Sequence, residues 1–263
     1  MTKRLWIYSY NEASEGAKEL ARSLKIRRIK HENSAYKWSP NNIVINWGSR
    51  TVTDELRKST LLNPPEAIAK CSDKLKFFNL CASVQSEEDK PRIPNYTTDG
   101  ELAKGWVAGG SVVVARKTLT GHSGEGIEFM EASKPNSFVD APLYVEYVKK
   151  KDEYRIHFVH DKIIAMQRKA LKEEARIDAK YVNWRVRNLA NGFIYARNNI
   201  TPPDDVVAQA KKVIKISGLD FGAIDIIWNE KSRKAYVLEV NTAPGLTGET
   251  LVDYSRAFEE YLA

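Results

Sequence analysis

The stretch that most constrains this chain is Val237–Thr247, with the sequence VLEVNTAPGLT. Apolar and polar residues alternate from Tyr236 to Asn241. A strand with a period of two sends the Glu239 and Asn241 side chains to the same face. Pro244 and Gly245 then stop the strand. A carboxylate and a carboxamide so placed supply hard oxygen ligands of the kind magnesium prefers. An ordinary half-exposed edge strand would show the same alternation, so the choice rests on what lies upstream. There Ala223–Trp228 reads as a second strand and Asn229–Lys234 as a polar turn. A hairpin centred on Ser232 sets Asp225 opposite Glu239. Like charges directly opposed destabilise a sheet unless something compensates them, and a divalent cation is the simplest compensation.

At 263 residues the chain is long enough for a substantial core and two or more subdomains, and 43% hydrophobic with 29% charged residues excludes a disordered protein. No apolar run approaches the roughly 18 residues of a membrane span. Met1–Arg4 leads straight into strand-like sequence rather than an apolar signal core. The expectation is therefore a cytoplasmic protein with no membrane partner. Cys71 and Cys81 have neither zinc-site spacing nor a disulfide framework and are expected to be reduced and structural. The balance of 41 Lys and Arg against 34 Asp and Glu, net +7, suits nucleic acid or an acidic or phosphorylated ligand. The charge is spread along the chain and singles out none of these; the cluster Lys25–Lys30 could contact nucleic acid but reads as a solvated face, and no nucleic-acid partner is expected.

Strand Leu5–Tyr10, helix Glu15–Lys25 and strand Asn42–Trp47 predict a small α/β unit in residues 1–62. Pro64 and Pro65 punctuate the chain, and one helix is expected over Glu66–Leu80, carrying Asp73 and Lys74. The strand Ser111–Arg116 runs into Gly121-His122-Ser123-Gly124-Glu125-Gly126, and Ile127–Met130 returns. A glycine loop between two strands is a hairpin, whereas Walker and dinucleotide loops run from a strand into a helix. Nor does Ser123 sit in a G-x-S-x-G nucleophile turn. The loop is either a plain flexible turn or, with Arg116 beside it, a flap whose backbone amides close over phosphates. Strands follow at Leu143–Val148, Glu153–Val159 and Ile163–Arg168; His157 and His160 fall on opposite faces and make no joint metal site. A helix opened by Pro202 and Pro203 closes at Gly218, and Gly248–Tyr261 forms a terminal helix.

Together these residues resemble the ATP-grasp superfamily, and within it the ribosomal-protein glutamate ligases, over roughly Asn63–Ala263. Gly218–Ile227 joined to Val237–Leu246 is the strongest stretch. Asp73-Lys74, Arg116 with the glycine loop, Glu146–Val148 with Glu153–Arg155, and Ala165–Arg168 with Arg187-Asn188 follow the family's order. The resemblance implies an α/β (α+β) fold in which two antiparallel-sheet subdomains, 63–150 and 151–263, clasp ATP after the short α/β domain 1–62.

In that picture Lys74 and Arg116 contact phosphates and the flap containing Gly121, Ser123, Gly124 and Gly126 covers them. Glu146, Tyr147 and Val148 read adenine, Glu153 holds the ribose, and Arg155 belongs to the nucleotide site. Asp225, Glu239 and Asn241 would bind two magnesium ions, with manganese as a substitute. Arg168 and Arg187 would lie by the γ-phosphate and stabilise an oxyanion. Arg116 and Lys117 depart from the lysine and proline usual there, and arginine keeps the charge and the bidentate geometry. The implied activity is ATP-dependent carboxylate-amine ligation through an acyl phosphate. Its substrates would be a small-molecule, peptide or protein carboxylate and an amine, and a homo-oligomer is compatible with it. Phosphorylation of a hydroxyl and a non-catalytic, basic nucleotide- or nucleic-acid-binding module are the alternatives.

Overall fold

The computed structural model describes residues 3–121, 124–134, 138–176 and 182–262. The chain starts with β1 (Arg4–Ser9), α1 (Glu15–Ser23), β2 (Arg27–Ile29) and β3 (Asn42–Trp47), then α2 (Asp54–Arg57) and β4 (Thr60–Leu62). The four strands form a parallel sheet in the order β2-β1-β3-β4. The Ser14 hydroxyl caps α1 at Ala17 N, and its apolar stripe buries Ala17, Leu20 and Ala21. The basic run is the edge strand β2, in which Ile29 turns inward and Arg27 stays in solvent.

The single helix expected over Glu66–Leu80 is two, α3 (Pro65–Cys71) and α4 (Lys74–Ala82). Asp73 is extended between them and caps α4 by accepting from Lys76 N at 3.0 Å. A side chain able to cap favours ending one helix and starting another, and the break places Lys74 in the first turn of α4.

β5 (Tyr96–Thr97), α5 (Gly100–Ala108), β6 (Val113–Arg116), β7 (Ile127–Met130) and β8 (Leu143–Glu146) follow. Their strands make an antiparallel sheet ordered β5-β8-β6-β7. The third sheet contains β9 (Asp152–Val159), β10 (Lys162–Leu171), β11 (Phe193–Ala196), β12 (Phe221–Asn229) and β13 (Lys234–Asn241). It is antiparallel with the order β11-β10-β9-β12-β13. α6 (Asp204–Ser217) ends at Gly218 in the left-handed conformation, φ 66°, as the sequence predicts, and α7 (Glu249–Leu262) comes last.

Alternation divides the third sheet into two faces. Tyr154, Ile156, Ile224, Ile226 and Val237 pack on Val206, Ala210 and Val213 of α6 and on Phe77 and Phe78 of α4. The opposite face is shared. At one end Phe221 stacks on Trp47, centroids 5.2 Å apart, in a core completed by Leu20, Tyr254 and Phe258. The N-terminal sheet and the last helix thus fill one core. At the other end the same face is polar and forms one wall of a cleft. Buried Asn63, at φ 66°, fastens the junction: its carboxamide accepts from Asp220 N and Phe221 N and donates to Phe221 O.

The β12–β13 hairpin carries a correction. Asp225 does lie opposite Glu239, and Ala223 opposite Asn241. Nearer the turn, however, Ile226 faces Val237 and Asn229 faces Lys234, with a bulge in between. The turn is not centred on Ser232; the extra residue at the bulge, Leu238, restores the expected pairing beyond it. Strict alternation would have put Val237 on the face of Glu239. With the bulge, Val237 and Val240 are both buried while Leu238, Glu239 and Asn241 line the cleft.

Candidate active site

A cleft of about 660 Å³ separates the two antiparallel sheets. Val114, Arg116, Ile127 and Val145 line it from one sheet, and Glu153, Arg155, Lys169 and Asp225 from the other. Eight cationic side chains reach it against five carboxylates, so the cleft favours an anionic ligand.

At its centre Arg155 and Asp225 oppose each other across β9 and β12. The guanidinium donates from Nε to Oδ1 at 2.7 Å and from Nη2 to Oδ2 at 2.8 Å, a bidentate pair. Burial pushes the Asp225 carboxyl up, but Arg155 outweighs it and holds it below the usual carboxylate range. The Tyr195 ring, from the outer strand, stacks on the Arg155 guanidinium at 4.2 Å.

Beside the pair lies buried Glu153, in ion pairs with Lys150 at 2.7 Å and with Lys169. Burial again opposes ionisation, and the two lysines overcome it. The carboxylate expected to hold ribose is thus enclosed by two ammonium groups, for which the sequence reading had no place. Arg168 is the other departure. It pairs with Tyr154 across β10 and β9, on the face away from Asp225, and its guanidinium is exposed beside Asp152 at 3.9 Å. Lys169 occupies the cleft instead. Alternation along β10 assigns the two residues once the register with β9 is known; residues 167–169 are polar throughout and give no such signal alone.

The remaining expected residues converge. Lys74, at the first turn of α4, donates to Gly121 O at 2.8 Å and lies 3.4 Å from Glu239 Oε2. Arg116 ends β6; its buried Nε has no hydrogen-bond partner, and burial lowers its pKa. Gly121 and Gly124 line the cleft. Gly124 has φ +85°, and a Cβ there would come within 2.8 Å of Val186 Cγ1, so only glycine lets the loop approach that segment. Gly126 closes the hairpin, its carbonyl accepting from Lys117 N. Ser123 lies outside the described residues. Glu146, Tyr147 and Val148 line the end nearest β8; Glu146 accepts from Ser111 Oγ and Asn95 Nδ2. Arg187 is buried at the rim and donates to Lys151 O at 2.9 Å.

Asp225, Glu239 and Asn241 share one wall, and the donor set fits a hard cation. The carboxamide nitrogen of Asn241 is buried without a partner, and oxygen and nitrogen of an amide exchange places by a flip of the side chain. The described residues contain no cluster of three or more His, Cys, Asp or Glu that could hold a metal.

Beneath this wall is a buried network that sequence reasoning missed. His157 Nδ1 is 3.2 Å from Tyr254 Oη and Nε2 3.1 Å from the Gln167 carboxamide, which meets Thr250 Oγ1 at 2.9 Å. Arg197 donates to Thr250 Oγ1 at 2.6 Å and is ion-paired with Glu249 and Asp253. Burial lowers the pKa of His157 to about 4 and keeps the ring neutral at physiological pH.

Neither a protein-family model nor a curated protein sequence matches the chain. Solved structures do. The ATP-grasp ligase PsnB, complexed with a phosphomimetic variant of its minimal precursor, Mg and ADP, is similar at a TM-score of 0.69 and 13% identity over 100% of both chains. D-alanyl-alanine synthetase A from Vibrio cholerae is similar at 0.66 and 16% identity, over 100% of this chain and 98% of that one. The macrocyclase MdnC, bound with the precursor peptide MdnA from Microcystis aeruginosa, matches at 0.64 and 14% identity, over 100% and 99%. The likeness extends over the whole chain, both antiparallel sheets included: the chain has the ATP-grasp fold.

Proposed function

We propose that the protein is an ATP-dependent carboxylate-amine ligase acting on an amino acid, peptide or protein substrate. One observation carries the reading: Asp225, Glu239 and Asn241 line a cationic cleft together with Lys74, Arg116 and the glycine loop, and Lys74 lies 3.4 Å from Glu239. A site of this composition suits phosphoryl transfer, in which positioning and electrostatics do most of the work. Lys74 and Arg116 bind the phosphates under the loop, and the Glu146–Val148 segment meets the base. Asp225, Glu239 and Asn241 hold two magnesium ions, or manganese in their place, which supply neutralisation of phosphate charge. The substrate carboxylate takes the γ-phosphoryl group as ADP leaves, and the amine attacks the acyl phosphate, losing a proton and expelling inorganic phosphate to leave the amide. Arg187, with Lys169 in the place expected of Arg168, provides fixed positive charge for the oxyanion.

The likeness to ATP-grasp ligases, two of which are described with precursor peptides, supports this reading and a peptide substrate. Incubating the protein with ATP, magnesium and candidate acids and amines is expected to release ADP and inorganic phosphate and to give a product with the mass of the acid plus the amine less one water. Gain of a phosphoryl group alone would instead identify a kinase. Glu239→Ala is expected to lower turnover by about 100-fold or more; unchanged turnover would overturn the proposal.

A further inference from the structure

β11 is an edge of the third sheet. Lys172 N donates to Gly192 O, and the ladder continues as Leu171 with Phe193, Ala170 with Ile194 and Lys169 with Tyr195. Hydrogen-bonded pairs alternate along an antiparallel ladder. The backbone groups of Ile194 and Ala196 therefore face β10, and the Phe193 carbonyl and both backbone polar groups of Tyr195 point outward. Phe193 N–H is taken by Asn188 O at 3.0 Å.

The sheet's other edge is treated differently. Val237 N of β13 donates to Arg92 O at 2.8 Å, and the Arg92 guanidinium donates to Ala235 O at 3.1 Å, so a passing segment covers it. Elsewhere the edges are very short, as in β2, β4 and β5, or charged, as in β7, where Glu128 pairs with Lys117. These are the usual protections against stray pairing. β11, Phe-Ile-Tyr-Ala, has no charge, and no described segment hydrogen-bonds to Tyr195 from outside. Three exposed large hydrophobic side chains stand on and beside it: Leu189 at 70%, Trp184 at 49% and Ile194 at 41%. Leu189 and Ile194 also border the cleft. The cleft that β11 borders carries the excess of cationic side chains, Arg187 among them. Among the described residues Arg187 donates only to backbone carbonyls, and Lys172, next to Glu173 and Glu174 in the sequence, makes no ion pair.

We propose that β11 is the docking edge for an extended acidic peptide, which adds as a further strand outside Tyr195 and continues into the cleft. The open backbone supplies register, Leu189 and Ile194 receive alternate apolar side chains, and the cationic rim selects the acidic ones. The identity of this peptide as substrate rests on the ligase reading; the docking does not.

The test uses the full chain with magnesium-ATP and a fluorescent peptide of alternating valine and glutamate. Binding is expected to slow exchange of the Tyr195 amide hydrogen, to fall about 10-fold in Leu189→Asn/Ile194→Asn, and to vanish when alternate peptide nitrogens are methylated. Equal binding by the methylated peptide, equal binding by a valine–lysine peptide, or Tyr195 exchange that binding leaves unaltered would each overturn the proposal. So would protection of Tyr195 that grows with protein concentration alone, because a second copy would then occupy the edge. Docking without ADP release would sink the ligase reading and leave the docking standing; ADP release with peptides that leave Tyr195 exchanging freely would do the reverse.

Discussion

Arg155 is held by Asp225 through two hydrogen bonds and by Tyr195 through its ring face. Arg155→Leu is expected to cost about 3–5 kcal/mol in urea denaturation, because it leaves a buried carboxylate uncompensated. His157 gives a pH signature. Its folded pKa of about 4 lies below the unfolded value near 6.5, so the unfolded state binds the extra proton between them. The neutral ring's contribution is full above about pH 6.5 and is lost as pH falls toward 4, on the order of 3 kcal/mol in all. Unfolding measured across that window is expected to show this slope in the parent chain and a flatter one in His157→Gln.

At the scale of elements, the bulge in β13 decides which side chains reach the cleft. Deleting Leu238 removes the residue in excess and is expected to leave Val237 and Val240 in the core and Glu239 and Asn241 in the cleft, because plain alternation then gives those residues the same faces. Magnesium-dependent nucleotide binding, followed by calorimetry, should persist in this variant and weaken at least about 10-fold in Asn241→Leu, which removes a donor from the same face. This hairpin also marks how far the sequence could be read. Asp225 and Glu239 were paired correctly, but through a turn placed slightly too late and a bulge left out, two errors that cancelled. Lys169 and Glu153 show the opposite case. No local pattern in Lys149–Glu153 or Gln167–Lys169 separates inward from outward residues, since both faces are polar there; only the pairing of β9 with β10 separates them. Long apolar periods, as in β3 and α6, were legible because burial leaves them one solution. The α3–α4 break was missed because a capping Asp inside an amphipathic run reads equally well as a surface residue.

For the whole molecule, Asn63 joins the parallel sheet to β12 with its backbone and carboxamide, and Asn46 donates to Asn63 O at 3.0 Å. Asn63→Ala would leave several buried backbone groups unpaired, for an expected loss of about 3 kcal/mol or more, read as a lower urea midpoint. That junction, with the Trp47–Phe221 stack, explains why residues 1–62 are packed as part of the fold rather than appended to it. The shared core also has a consequence during synthesis. Ser23 hydrogen-bonds to Ser255, and Leu20 and Trp47 are covered by Leu246, Tyr254 and Phe258. These partners are synthesised long after β1–β3, so the first sheet must wait with its apolar side open. A nascent chain arrested before Leu246 should therefore be cut readily near β1–β3 by a protease and become resistant once α7 has emerged.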